Sequence, residues 1–226
     1  MLKASSSLSH RWLFVLAFLL INGCAQQGIK PSFVTTKRPD GWDAHLARVQ
    51  TLQHWRVKGK IGYHSENNKG SAWFDWTQHG EEFTIYLSGP LGVGTATISG
   101  NTESVTLSRP GETDIRARSS GELTQKLFGS HLPLEQLRYW AKGIPAPSDG
   151  TIHGEVHGIV EAFNKQGTAS KIKQDRWDVN LRNYRPNESY QLPGKLIATR
   201  QALTVTLILK NWDIQKTSNA TQTTNP

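Results

Sequence analysis

From Trp55 to Tyr63 the chain alternates strictly: Trp55, Val57, Gly59, Ile61 and Tyr63 fall on one side, Arg56, Lys58 and Lys60 on the other. That period of two predicts a β-strand with one wet face. The same pattern returns in AWFDW, FTIYL and VGTATI, separated by the turn SENNKG, the turn QHG and the short loop SGPLG. Shorter strands are expected around 105–107 and 113–117, split by the turn RPGE. Further strands are expected around 156–163, 169–174, 177–181 and 203–209. Three segments instead carry helical spacing. Trp42, Leu46, Val49 and Leu52 share one face behind Asp40, the expected cap. Leu123 and Leu127 follow the capping-box sequence Ser119-Ser120-Gly121-Glu122, with Gly129 as the stop. Leu134, Leu137 and Ala141 follow Pro133 and end at Gly143. About eleven strands and three helices result. Strands joined by short turns pair antiparallel. The expected fold is mainly β with helices (α+β): an unclosed antiparallel β-barrel or strongly curved sheet, its inner side covered by the helices, with room for an apolar cavity.

The first residues follow a different logic. Lys3 and Arg11 precede the apolar run from Trp12 to Ile21, and Asn22-Gly23-Cys24 follows. This is the layout of a secretory signal peptide, and its apolar run is too short to span a bilayer. INGC resembles the lipobox of bacterial lipoproteins, which implies that residues 1–23 are removed and that Cys24 carries the lipid. Ala25 behind it implies the outer rather than the inner membrane. Residues 24–41, polar and broken by Pro31 and Pro39, are expected to form a flexible tether reaching ~50 Å. One domain is then expected over 42–212, followed by a disordered tail over 213–226.

Composition narrows the chemistry. The chain has 226 residues and a formal charge of 26 − 18 = +8, with a single cysteine. One cysteine leaves no internal disulfide, CxxC pair or multi-cysteine zinc site. The basic residues are scattered and the address is extracytoplasmic, so no nucleic-acid partner is expected. No nucleophile, phosphate-loop or dinucleotide motif occurs. Ser170 and Lys173 match Ser-x-x-Lys by spacing alone, on a strand that turns them to opposite faces. His153 and His157 lie between glycines in a poor helix, too far apart on a strand to share a metal. The chain is therefore expected to be no enzyme and to hold no metal or cofactor. It does supply inward apolar surface: Phe74, Trp76, Phe83, Ile85, Leu87, Ile98, Leu107, Leu123, Leu127 and Trp177 are the candidate lining of a cavity. Leu91, in the loop SGPLG, is an apolar tip available to lipid or to a partner.

The lipobox, WRVKGKIGY, AWFDW, FTIYLSGPLG, HLPLEQLRYWAKGIP, RWDVNLRNY, LPGKL and LILKNW, in this order, resemble the LolB family. LolB proteins are the outer-membrane lipoprotein receptors of bacterial lipoprotein sorting. The resemblance implies an open barrel with an apolar cavity that takes the acyl chains of lipoproteins from a periplasmic carrier, LolA. It implies release into the outer membrane without nucleotide hydrolysis, by a lipid-anchored monomer facing the periplasm of a Gram-negative cell. It also gives Leu91 a part in engaging the membrane, although Ser-Gly stands before Pro90 where the family pattern has Thr-Asn. The alternative from another class is an outer-membrane assembly-factor lipoprotein that binds a protein partner.

Overall fold

The longest alternating runs become the longest strands. A computed structural model of the chain describes residues 34–66, 68–89, 94–128, 131–147 and 158–215, with the side chains of 127 and 128 excepted. Cys24, Leu91, Gly129, His153 and His157 lie outside these residues, and so does the side chain of Leu127.

Helix α1 (Trp42–Gln50) leads into β2 (His54–His64), β3 (Lys69–His79) and β4 (Glu82–Ser88), which pair in register as two hairpins. Strands β5 (Ala96–Gly100), β6 (Val105–Ser108) and β7 (Ile115–Ala117) extend the sheet on that side. Helices α2 (Ser120–Phe128) and α3 (Leu134–Trp140) then interrupt the strands. The chain returns through β8 (Ile159–Asn164), β9 (Ala169–Gln174) and β10 (Trp177–Arg182), the small hairpin β11 (Arg185–Asn187) and β12 (Tyr190–Leu192), and finally β13 (Lys195–Arg200) and β14 (Leu203–Ile214). Twelve of these strands form one antiparallel sheet in the order β1-β8-β9-β10-β13-β14-β2-β3-β4-β5-β6-β7. Here β1 (Val34–Thr35) and β7 are unjoined edges, so the barrel is open.

The described residues thus hold fourteen strands, against the eleven expected. The additions have physical reasons. β1 is two residues long and sits in the stretch expected as tether, where Val34 and Thr35 pair with Asn164 and Phe163. The sheet therefore reaches back beyond Trp42. β11 is polar and contains Pro186, and its partner β12, with buried Leu192, is only three residues long, too short for a period to show. At the other end β14 continues past Trp212 to Ile214, which pairs with Trp55. Asp40 does not cap α1. Gly41 holds the cap position with no side-chain bond, and the Trp42 N–H donates to the Pro39 carbonyl. At α2 the Glu122 N–H donates to Ser119 Oγ at 3.1 Å, the first bond of the box, while the Glu122 carboxylate accepts from the Arg118 N–H, one residue before the cap, at 2.9 Å.

One half of the concave face is filled. Trp42 packs edge-on against Phe163, Trp140 against Trp177, and Trp55 between Trp76 and Trp212. The close approach of β14 to β2 requires Gly59, because a Cβ there would lie 1.9 Å from the Ile208 carbonyl oxygen. Buried Gln174 fastens the segment after α3 to β9. Its Oε1 accepts from Trp140 Nε1 and from the Ala146 N–H, both at 2.9 Å, and its Nε2 donates to the Ala146 carbonyl at 2.8 Å.

Candidate functional site

The other half of the concave face, beneath α2 and α3, is not filled. At one end of the sheet lie the end of β2 and the start of β3, the end of β4 at Ser88 and the start of β5 at Ala96, and the β6–β7 turn from Arg109 to Asp114. At that end an open pocket of about 670 Å³ runs inward, within the range of ~300–1,000 Å³ typical of ligand sites. Its walls are Ile61 of β2, Ala72 of β3, Ile85 and Leu87 of β4, Ala96 and Ile98 of β5, and Leu132 and Leu134 before and in α3. Polar groups stand at its edge: Ser71, Thr95, and Arg109 paired with Glu112 at 3.2 Å. Gly89 and Gly94, which flank the segment carrying Leu91, border the same pocket.

Of the candidate lining residues, Ile85, Leu87 and Ile98 border this pocket. Trp76 and Phe83 stand instead at a small cleft toward the other end of the sheet, by the β3–β4 and β5–β6 turns, with Gln78, Glu135 and Arg138. Phe74, Leu107, Leu123 and Trp177 are core residues away from the pocket. Phe74 packs over Gly59, and Trp177 lies on the filled half, between Trp140 and the Arg200 guanidinium. Alternation sorts inward from outward residues, but packing decides which inward residues meet a void. Ile61 and Tyr63 belong to the alternating face read from the sequence. Thr124, Leu132 and Arg109 reach the pocket only through tertiary placement, for which no local signal exists.

Behind the pocket several buried polar groups are tied to partners, whereas Ser120 Oγ is buried without a hydrogen bond among the described residues. Trp76 Nε1 donates to Gln78 Oε1 at 3.0 Å, and Gln78 passes a bond on to the Gly80 carbonyl. Lys142 donates to the Leu52 carbonyl at 3.0 Å and faces the Tyr139 ring. Burial, with Arg138 nearby adding to it, brings the Lys142 ammonium down to about 7. Tyr184 gives its hydroxyl to the Ala169 carbonyl at 2.7 Å, and burial pushes its pKa up. These groups tie elements together and none faces the pocket. Ser170 and Lys173 lie on β9, where Lys173 reaches Glu161 at 3.5 Å. Across β2 and β3, His54 and His79 bring their Nδ1 atoms to 3.3 Å. Among the described residues no group of three metal-ligating side chains forms, and no helix is long and apolar enough to cross a membrane.

Comparison with known proteins gives this geometry its relatives. The family model "Outer membrane lipoprotein LolB" matches residues 53–212. The outer-membrane lipoprotein LolB of Cellvibrio japonicus is 34% identical over 213 residues, covering 91% of this chain and 98% of that protein. Its namesake in Francisella tularensis subsp. novicida is 30% identical over 218 residues, covering 95% and 100%. Among solved structures, a DUF1329 family protein from Desulfovibrio piger shares the fold with a TM-score of 0.53 at 11% identity, covering 80% of this chain and 94% of its own. A LolA superfamily protein from Nitrosomonas europaea aligns with a TM-score of 0.48 at 9% identity, covering 77% and 94%. By the family match and by relatives spanning nearly its whole length, the chain belongs to the LolB family of outer-membrane lipoproteins.

Proposed function

We propose that this chain accepts acylated lipoproteins from a LolA-type periplasmic carrier in its open pocket and incorporates them into the outer membrane, acting as a monomer and without hydrolysing a nucleotide. The observation that carries the reading is the apolar pocket of about 670 Å³, open at the end of the sheet where residues 89–95 connect β4 to β5. Cys24 is the lipid attachment site, and Leu91 is the residue that engages the bilayer during release. The anchored domain is the one expected over 42–212, joined by β1 and the end of β14, and the residues between Cys24 and β1 link it to the lipid.

The energetics suit a carrier that uses no fuel. Three acyl chains of ~16 carbons represent gross tens of kcal/mol of hydrophobic burial at about 0.8 kcal/mol per CH₂. Such a ligand crosses water only if each apolar site passes it to another, on a level or slightly descending path. An open apolar pocket provides the last step of that path.

Mixing the chain with carrier loaded with a labelled lipoprotein tests the proposal. The expected result is that label moves to this chain and displaces an apolar dye from it. Leu91→Glu is expected to accept label yet deliver little to vesicles. If no label moves and no dye binds, the pocket is not a lipid site. A scaffold that binds a protein partner then becomes the better reading.

A further inference from the structure

The outer face of the sheet carries a feature that the pocket does not explain. Cross-strand partners share a face, so the registers Lys195–Ile208, Ile208–Lys60, Lys60–Trp73 and Trp73–Ser88 define one row across β13, β14, β2, β3 and β4. The row is about 19 Å wide at ~4.8 Å per strand. Trp73, at 48% exposure, is far more open than is usual for so large a ring. Two ammonium groups lie over it: Lys60 at 5.9 Å, and Lys210, swung across from the bulge in β14, at 5.2 Å. Tyr86, 46% exposed, stands diagonally below it, opposite Asp75. Arg56 and Lys58 are engaged by Asp75, at 2.5 and 3.4 Å. Among the described residues, Lys60, Lys195 and Lys210 form no ion pair. Ser88, at the end of the row, immediately precedes Gly89 at the pocket edge.

We infer that this row, Trp73 with Lys60, Lys195 and Lys210, is a docking surface for the headgroup layer of an anionic phospholipid bilayer, and that it sets the domain on the membrane with the rim of the pocket beside the lipid. Half-exposed Trp and Tyr rings flanked by lysines match the chemistry of that layer. The rings take the depth between hydrocarbon and water, while ammonium groups meet phosphates. Three ammonium groups without carboxylate partners favour a surface of like negative charges over a patterned protein face. The inference rests on the reading of Cys24 as the anchor, since the anchor holds the row near lipid. The nine residues from 25 to 33 can span ~33 Å at most.

The test uses the full lipidated chain reconstituted into vesicles, with an environment-sensitive dye at Thr206→Cys. Thr206 is partly exposed, lies outside the pocket lining, and stands two residues from Ile208 on the same face, opposite Gly62. With phosphatidylethanolamine and phosphatidylglycerol at three to one, the dye is expected to shift to blue emission. In pure phosphatidylcholine, or at high salt, it is expected to remain in water. At about 1 kcal/mol per lysine near an anionic surface, Lys60→Ala and Lys210→Ala should each lower the docked-to-free ratio about five-fold, and together roughly thirty-fold. Trp73→Ser should reverse the blue shift without unfolding the chain, because the ring is a surface group. A dye that stays in water on anionic vesicles overturns the inference, and so does a blue shift indifferent to the lysines. Shielding that appears only when an acidic carrier protein is added also overturns it, assigning the row to a protein instead. Lipoprotein handover, measured on the same preparations, separates the outcomes: handover without docking removes this inference alone, whereas loss of handover in the unsubstituted chain removes the functional reading.

Discussion

Gln174 satisfies three hydrogen bonds in a site closed to water, joining β9 to Trp140 and Ala146. Replacing it with leucine leaves an indole N–H, a backbone N–H and a carbonyl buried without partners. Each such group costs about 1–3 kcal/mol. Gln174→Leu is therefore expected to lose at least 3 kcal/mol in urea unfolding, whereas Lys126→Ala, which removes an exposed pair with Glu122, should lose under about 1. Lys142 makes a second residue-scale prediction. Burial brings it down to about 7 from an ordinary 10.5, so above pH 7 the folded chain sheds a proton that the unfolded chain keeps. The unfolded state then binds more protons, and stability must rise with pH between those values. The gain is at most about 1.4 kcal/mol per pH unit. Below pH 7 both states are protonated, so the lysine's full cost is present and constant. Lys142→Met should remove this slope, and the difference between the two unfolding curves measured from pH 6 to 10 isolates the lysine.

At the scale of elements, α2 is short, and its first turn is held by the box between Ser119 and Glu122. Ser119→Ala removes one acceptor and should cost about 1 kcal/mol. Because α2 reaches the pocket through Thr124, which accepts from the Leu132 N–H at 2.8 Å, the loss should appear first as faster amide exchange over 120–128 and not as a shift of the whole sheet. This box was legible in the sequence, as were α1, α3 and the hairpins β2–β3–β4, because alternation and capping are local. β13 was missed for an equally physical reason. Leu196 and Ala198 are its only buried apolar residues, and Ile197 points outward between them, so KLIATR has no clean period. It becomes a strand because β10 and β14 flank it on both sides. β1 is recruited in the same way by β8. The candidate site divides along the same line. That Ile85, Leu87 and Ile98 point inward followed from the residues around them. That they meet a void while Phe74, Leu107 and Trp177 meet side chains depends on where α1, α2 and α3 are placed, which no window of sequence encodes.

For the whole molecule, the filled half and the open half of the concave face are one design. The tryptophan cluster around Trp55, Trp140 and Trp177, with the Gln174 clamp, fixes half of the curved sheet. That rigidity lets the other half keep an apolar pocket without collapsing into it, since an unsupported void is closed by relaxation of its walls. Filling the pocket should then separate function from folding. Ala96 is partly buried on β5, and its side of the strand borders the pocket, so a larger side chain there enters existing space. Ala96→Phe is expected to unfold within about 1.5 kcal/mol of the unsubstituted chain, because added apolar volume that meets no packed neighbour is tolerated. The same variant should bind an apolar dye several-fold more weakly and accept correspondingly less labelled lipoprotein. Dye binding unchanged in Ala96→Phe would place the acyl site elsewhere. A variant that unfolds would instead show the pocket walls to be already in contact in solution, and the pocket to be a state that cargo must open.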